Sequence, residues 1–246
     1  MAATADSVLV ADRGVAAVRV IAALQRRGTK AVSVHTEADA GAVHATLADE
    51  SVLLGPTTAS YGDVRKLIEA ARQAGAQGVH PAGADVPGLA QAVADAGLTW
   101  CGGRVDVPVA LLGAPPVVEA VAADQPLRLS GLPPRAVEVV TGLDVTGAGP
   151  GGAASGAARA GVALSVDVVA SLLAPVTVWR PPAGEDLWVD AAVAEGTSPA
   201  DPLLAVLTVW GPDRGSAYAR AGQAWDRFVI EGPVVDRPAA LGRGPQ

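Results

Sequence analysis

The sequence predicts an α/β protein with two parts. The first hundred residues read as a doubly wound parallel sheet, and the last eighty or so as a small mixed α/β domain with an antiparallel sheet. Three observations carry this. Over residues 7–101, short apolar runs alternate with segments of helical periodicity, the pattern of strand–helix–strand crossovers. From residue 161 onward apolar runs follow one another directly, with a single helical pattern near the end. Between the two lies a stretch where proline pairs and glycine clusters break any long element.

In chain order, residues 7–11 (SVLVA) form an apolar run suited to a buried parallel strand. Asp12, Arg13 and Gly14 turn into a helix over 15–27, closed by Gly28. Residues 30–35 (KAVSVH) and 50–54 (ESVLL) predict the second and third strands. A helix follows over 61–73, then a strand at 77–80 (QGVH), a helix over 87–96 and a strand at 98–101 (LTWC). We set the domains at 1–104, 105–160 and 161–246, the middle one a Pro/Gly-rich remnant or linker. In the last domain, GVALSVDVVA, VTVW, LWVDAAV and LLAVLTVWG predict strands, a helix spans 214–228, and a Pro-rich tail ends the chain.

Half of the 246 residues are hydrophobic but only 3% are aromatic, so the core is built from Ala, Val and Leu. A net charge of −7 argues against phosphate-backbone binding and against an anionic membrane surface as partner, hence no nucleic acid and no membrane. One cysteine, Cys101, and three scattered His exclude an internal disulfide and a Cys-based zinc site; we expect no metal. The N-terminus lacks a cationic start with an apolar core, so the expected location is cytoplasmic. Only Lys30 and Lys66 are lysine.

No phosphate-loop motif is present. Residues 147–156 (GAGPGGAASG) follow no clear strand and contain Pro150, so a flexible linker is the better reading than an anion cradle. Asp12, Arg13 and Gly14 follow the first strand, where doubly wound sheets place ligands; equally, Asp12 fits as the cap of a helix start. His80 ends another strand at the same sheet edge, where a loop histidine is more often structural than catalytic. Ser130, Ser155 and Ser216 lack the context of an activated nucleophile. Nothing in the chain forms a catalytic constellation.

At residues 7–56 (SVLVADRGVAAVRVIAALQRRGTKAVSVHTEADAGAVHATLADESVLLGP) the sequence closely resembles the N-terminal domain of biotin carboxylase, the ATP-dependent subunit of acyl-CoA carboxylases. The resemblance continues at AQGVHP, GLTWCG and VVTGLD, and at PLLAVLTVWGPDRGSAYARAGQAWDRFVIEG, which is similar to the family's carboxy-terminal domain. Family members carry an ATP-grasp domain between these ends, with two lysines for the nucleotide phosphates and a glycine-rich lid. Here that interval has shrunk to a lysine-free stretch.

Aligned on the family, the base-type carboxylate falls at Pro133 or Leu132, the catalytic arginine at Trp188 and a lysine at Val206. The resemblance therefore implies ATP, Mg²⁺ and biotin as cofactors, and the departures from it predict that all three are lost. It also places Arg19, Trp210 and Arg214 at the dimer contact positions of active biotin carboxylases. Their bland alternative is a core tryptophan and two solvent ion pairs. The expected function is a noncatalytic scaffold or modulator within an acyl-CoA carboxylase system. Its partner would be a second copy or an active biotin carboxylase or other subunit. The alternative is a repurposed binder of a small anion, or an enzyme, using the crevice at Asp12, Arg13, Gly14 and His80.

Overall fold

The computed structural model describes residues 5–26, 28–101, 161–238 and 241, and the backbone of short strands at 118–119, 128–129 and 136–141. The chain divides into two compact units, Met1–Arg104 and Val105–Gln246.

The first unit runs β1 (Ser7–Val10), α1 (Gly14–Arg26), β2 (Lys30–Thr36), α2 (Val43–Leu47), β3 (Glu50–Gly55), α3 (Val64–Gln73), β4 (Gly78–His80), α4 (Leu89–Asp95) and β5 (Thr99–Trp100). All five strands are parallel, in the order β3-β2-β1-β4-β5. Alternation along each strand sends side chains to both faces of the sheet. Leu9, Val32, Val34, Val52, Leu54 and Val79 pack with Leu67, Ile68 and Ala71 of α3 and with Leu89 and Val93 of α4. On the other face Val10 and Ala31 pack with Ala17, Val20 and Ile21 of α1. A sheet covered on both faces is what continuous apolar strand runs require.

The boundaries differ from expectation in ways the backbone explains. Gly14 opens α1 at φ +66, a conformation L side chains rarely adopt, so the helix begins at a glycine. The helix expected from Tyr61 starts at Val64, because Asp63 caps it by accepting the Lys66 amide, and a 3₁₀ turn (Thr58–Gly62) precedes it. The five-residue α2 was not expected at all.

In the second unit the strands β6 (Val118–Glu119) and β7 (Arg128–Leu129) pair with each other. Then come β8 (Ala136–Thr141), β9 (Gly161–Leu172), β10 (Val178–Arg180), β11 (Leu187–Ala191), β12 (Leu203–Gly211), α5 (Arg214–Asp226), β13 (Val229–Glu231) and β14 (Val234–Val235). The main sheet is antiparallel, β11-β12-β9, with β8 and β14 each pairing a different length of the far edge of β9. The strand β8 thus lies inside the stretch expected as linker, and the expected tail contributes β13 and β14. The glycine-rich residues 147–156 lie outside the described residues.

Leu164, Val166, Val168, Leu207 and Val209 face Ala217, Ala221 and Ala224 of α5. Alanines at this spacing let the helix approach closely. A Cβ on Gly211 would stand 2.6 Å from the Ala217 amide nitrogen, so glycine is needed there. Asp213 caps α5 through Oδ1, which accepts the Ser216 amide at 2.9 Å.

Candidate functional site: the carboxyl edge of the parallel sheet

The strand order reverses direction at β1, whose neighbours are β2 on one side and β4 on the other. Doubly wound sheets bind ligands at the carboxyl ends of the strands beside such a reversal. Asp12, Arg13 and Gly14 follow β1, and His80 ends β4, so the expected residues do meet at this edge.

Their polar atoms are engaged within the unit. Asp12 Oδ2 accepts the Gly83 amide at 2.8 Å, tying the loop after β1 to the loop after β4, while its Oδ1 accepts the Arg13 amide. His80 Nδ1 accepts the Ala82 amide at 2.9 Å, and Ala82 holds φ +50. Arg13 reaches toward the segment that follows β2 and toward the turn before α3. Its guanidinium lies 3.9 Å from Asp39 Oδ2 and 5.9 Å from the Tyr61 ring centroid.

That contact leads to a cluster the sequence did not announce. Asp39 is buried. Its Oδ1 accepts the Thr36 amide at 2.5 Å and the Thr36 hydroxyl at 2.7 Å, and its Oδ2 accepts the Tyr61 hydroxyl at 2.7 Å. His44, 2% exposed, places Nε2 3.2 Å from the Tyr61 oxygen. Burial pushes the Asp39 carboxyl up, but hydrogen bonds from Thr36 and Tyr61 outweigh it and hold the group below the usual carboxylate range. Burial pulls His44 down, against the attraction of Asp39. Burial and the neighbouring Asp39 raise the Tyr61 phenol well above its ordinary value. The result is a neutral histidine, a neutral phenol and an ionised carboxylate that bind the ends of β2 and the loop before α3 to one another.

A second polar pair ends β3. Lys66 Nζ donates to Ser60 Oγ at 3.1 Å directly over Gly55. On the neighbouring strands Ser33 and Ser51 are linked at 2.7 Å, and Ser51 lies 2.7 Å from His35 Nδ1.

In the second unit, Trp188, Thr208 and Ser165 form one row across β11, β12 and β9, and Asp190, Val206 and Asp167 the next. Val206 is 1% exposed, and Ser165 meets Thr208 at 3.0 Å. Arg19 on α1 and Trp210 on β12 are each 9% exposed. Little of either side chain is left on the surface of the single chain. Arg214 begins α5, and its side chain lies outside the described residues, as do positions 132 and 133. No group of three or more His, Cys, Asp or Glu able to hold a metal occurs among the described residues. No helix among them is long and apolar enough to cross a membrane.

The fold is an α/β one, with a parallel five-stranded sheet in the first unit and antiparallel sheets in the second. Residues 4–107 match the biotin carboxylase N-terminal domain. The chain is 46% identical over 80 residues to the propionyl-CoA carboxylase alpha chain of Sus scrofa, covering 32% of this chain and 11% of that one. It is 47% identical over 100 residues to the biotin-dependent acyl-coenzyme A carboxylase alpha3 subunit of Mycobacterium leprae, covering 39% of this chain and 17% of that one. The matched stretch is thus a small part of these relatives. The fold is shared with a biotin carboxylase from Campylobacter jejuni at a TM-score of 0.69 and 15% identity, covering 94% of this chain and 93% of that one. Over these partial stretches the chain is similar to acyl-CoA carboxylase alpha subunits.

Proposed function

We propose that the chain is a noncatalytic component of an acyl-CoA carboxylase system, acting in the cytoplasm as a scaffold or modulator. It would pair with a second copy, with an active biotin carboxylase or with another carboxylase subunit. The observation that carries the reading is Val206. The resemblance gives this position to a lysine, yet β12 holds a core-buried valine there. Trp188, on the adjoining strand, stands where the resemblance places the catalytic arginine. Phosphoryl transfer relies almost wholly on positioned cations and Mg²⁺, and removing one stabilising donor typically costs on the order of 10²–10³ in rate. Neither side chain offers a positive charge to a nucleotide phosphate. At these two described positions the cations that ATP's phosphates call for are missing, and no step through ATP follows. The relatives named as alpha chains and subunits support a role beside other subunits.

The test has two arms. Purified protein supplied with ATP, Mg²⁺, bicarbonate and biotin is expected to release no ADP above background. The tagged protein from its native extract is expected to carry carboxylase subunits, identified by mass spectrometry. ADP release overturns the noncatalytic reading, and a solitary monomer by light scattering overturns the scaffold.

A further inference from the structure

We propose that residues 40–47 form a flap that acid opens: a proton taken up by His44 releases this segment from the parallel sheet while the rest of the first unit stays folded. The inference stands apart from the carboxylase reading. It starts from how little holds the segment down. Of residues 40–47, His44 and Ala45 are buried, and the others are half-buried or exposed. Leu47, the largest apolar side chain there, is 37% exposed. The five-residue α2 has no side-chain cap, and a helix of that length has no stability of its own. One histidine ring is therefore the anchor.

The segment also has fixed ends on which to turn. On one side Asp39 is held by the Thr36 amide and hydroxyl and by the Tyr61 hydroxyl. On the other, Asp49 Oδ2 accepts the Ala31 amide and Gln25 Nε2 donates to the Leu47 carbonyl, each at 2.8 Å. Just past Asp39, a Cβ on Gly41 would meet no atom within 4 Å, so the backbone there is unconfined.

His44 is latched in its neutral form. The Tyr61 hydrogen goes to Asp39 Oδ2, so the Tyr61 oxygen accepts from His44 Nε2 at 3.2 Å. A further proton enters on Nδ1 of a ring that is 2% exposed, and burial resists the charge. Asp39 attracts that charge, but both its oxygens already accept hydrogen bonds. Arg13, just before α1, and His35 on β2 repel it. Glu50 opens β3, which also packs on α2, and is paired with Lys30 Nζ at 2.6 Å.

In the open segment His44 meets water and takes its proton at the ordinary value near 6.5. Falling pH therefore favours the open form from about 6.5 downward, while Asp39, held below 3.8, keeps its own hydrogen bonds. Opening uncovers Tyr61, whose ring centroid lies 5.9 Å from the Arg13 guanidinium at the carboxyl end of β1. The polar surface of the edge where such sheets hold ligands thus changes with pH.

Solvent exchange of the Ala42, Ala45 and Thr46 amides, which bond to the Asp39 and Ala42 carbonyls, reads the opening by NMR in the full chain. After correction for intrinsic rates, their protection is expected to fall about three- to tenfold between pH 7.5 and 5.5, the upper figure being the proton uptake of an ordinary histidine. Urea below the unfolding transition is expected to leave it unchanged, while the protection of Leu9 and Val10 in the central β1 falls. His44→Gln is expected to abolish the pH response, and His35→Gln to keep it. The proposal is overturned if protection at these three amides is the same at both pH values. It is equally overturned if that protection falls with urea as steeply as in β1, which makes the opening that of the whole unit. Both comparisons use the unaltered chain, so they stand even where a variant fails to fold. A pH response that survives in His44→Gln also overturns it.

Discussion

Tyr61→Phe isolates the cluster that ties the strand ends of the first unit together. The ring stays, so its packing and its place beside Arg13 are kept. What goes is the hydroxyl that donates to Asp39 Oδ2 at 2.7 Å and that faces His44 Nε2 at 3.2 Å. A hydrogen bond to a charged acceptor contributes about 1.5–3 kcal/mol, and the buried His44 loses its Nε2 contact with the hydroxyl as well. Together these predict a loss of about 2–3 kcal/mol from the first unit. With a urea slope of about 1.5 kcal/mol per molar, the midpoint falls by about 1.3–2 M. Because the chain has two units, the readout is amide hydrogen exchange in β2 against urea, which reports the first unit alone. A loss under about 0.5 kcal/mol refutes the reasoning, since it means that water replaces the hydroxyl without cost.

Acid weakens the first unit in two stages. His44 is depressed in the fold, so the unfolded chain takes up its proton first as pH drops below about 6.5, and stability falls there. Asp39 is held below 3.8, so its contribution is lost only below that value. A flat denaturation midpoint between pH 7.5 and 5 refutes the first stage, and His44→Gln is expected to abolish it. In the second unit, Gly232→Ala puts a Cβ 1.9 Å from the Pro175 carbonyl oxygen at φ +105. It is expected to cost about 3 kcal/mol or more in a thermal melt, against almost nothing for Gly184→Ala, which meets no atom within 4 Å.

Strands were legible because apolar runs of strand length between turn residues have few other uses. β1 through β5 fall within one or two residues of the expected ranges. Short elements whose cause lies elsewhere in the fold were not. The five residues of α2 lack a side-chain cap and form where α1 and the sheet provide a surface. The strands β13 and β14 hide among prolines and exist because β10 and β9 offer open edges. The same applies to the site. Asp12, Arg13 and His80 were placed at the correct edge by the strand pattern alone. Their partners were not, because Asp39, His44 and Tyr61 lie on different elements 17 and 22 residues apart, and no local motif joins them. Lys66 was noted only as a lysine. Its hydrogen bond to Ser60 Oγ at 3.1 Å joins α3 to the turn before it, which the sequence does not show.

The strand β9 has a consequence for the order in which the chain is made. It is central to its sheet, yet of its three partners only β8 precedes it in the sequence. β12 begins at Leu203 and β14 at Val234. During synthesis from the N-terminus, one edge of the twelve-residue β9 stays bare until β12 has left the ribosome. The second unit thus passes through a stage with an open strand edge, the feature that invites pairing with other chains. Slow translation between residues 172 and 203 lengthens that interval.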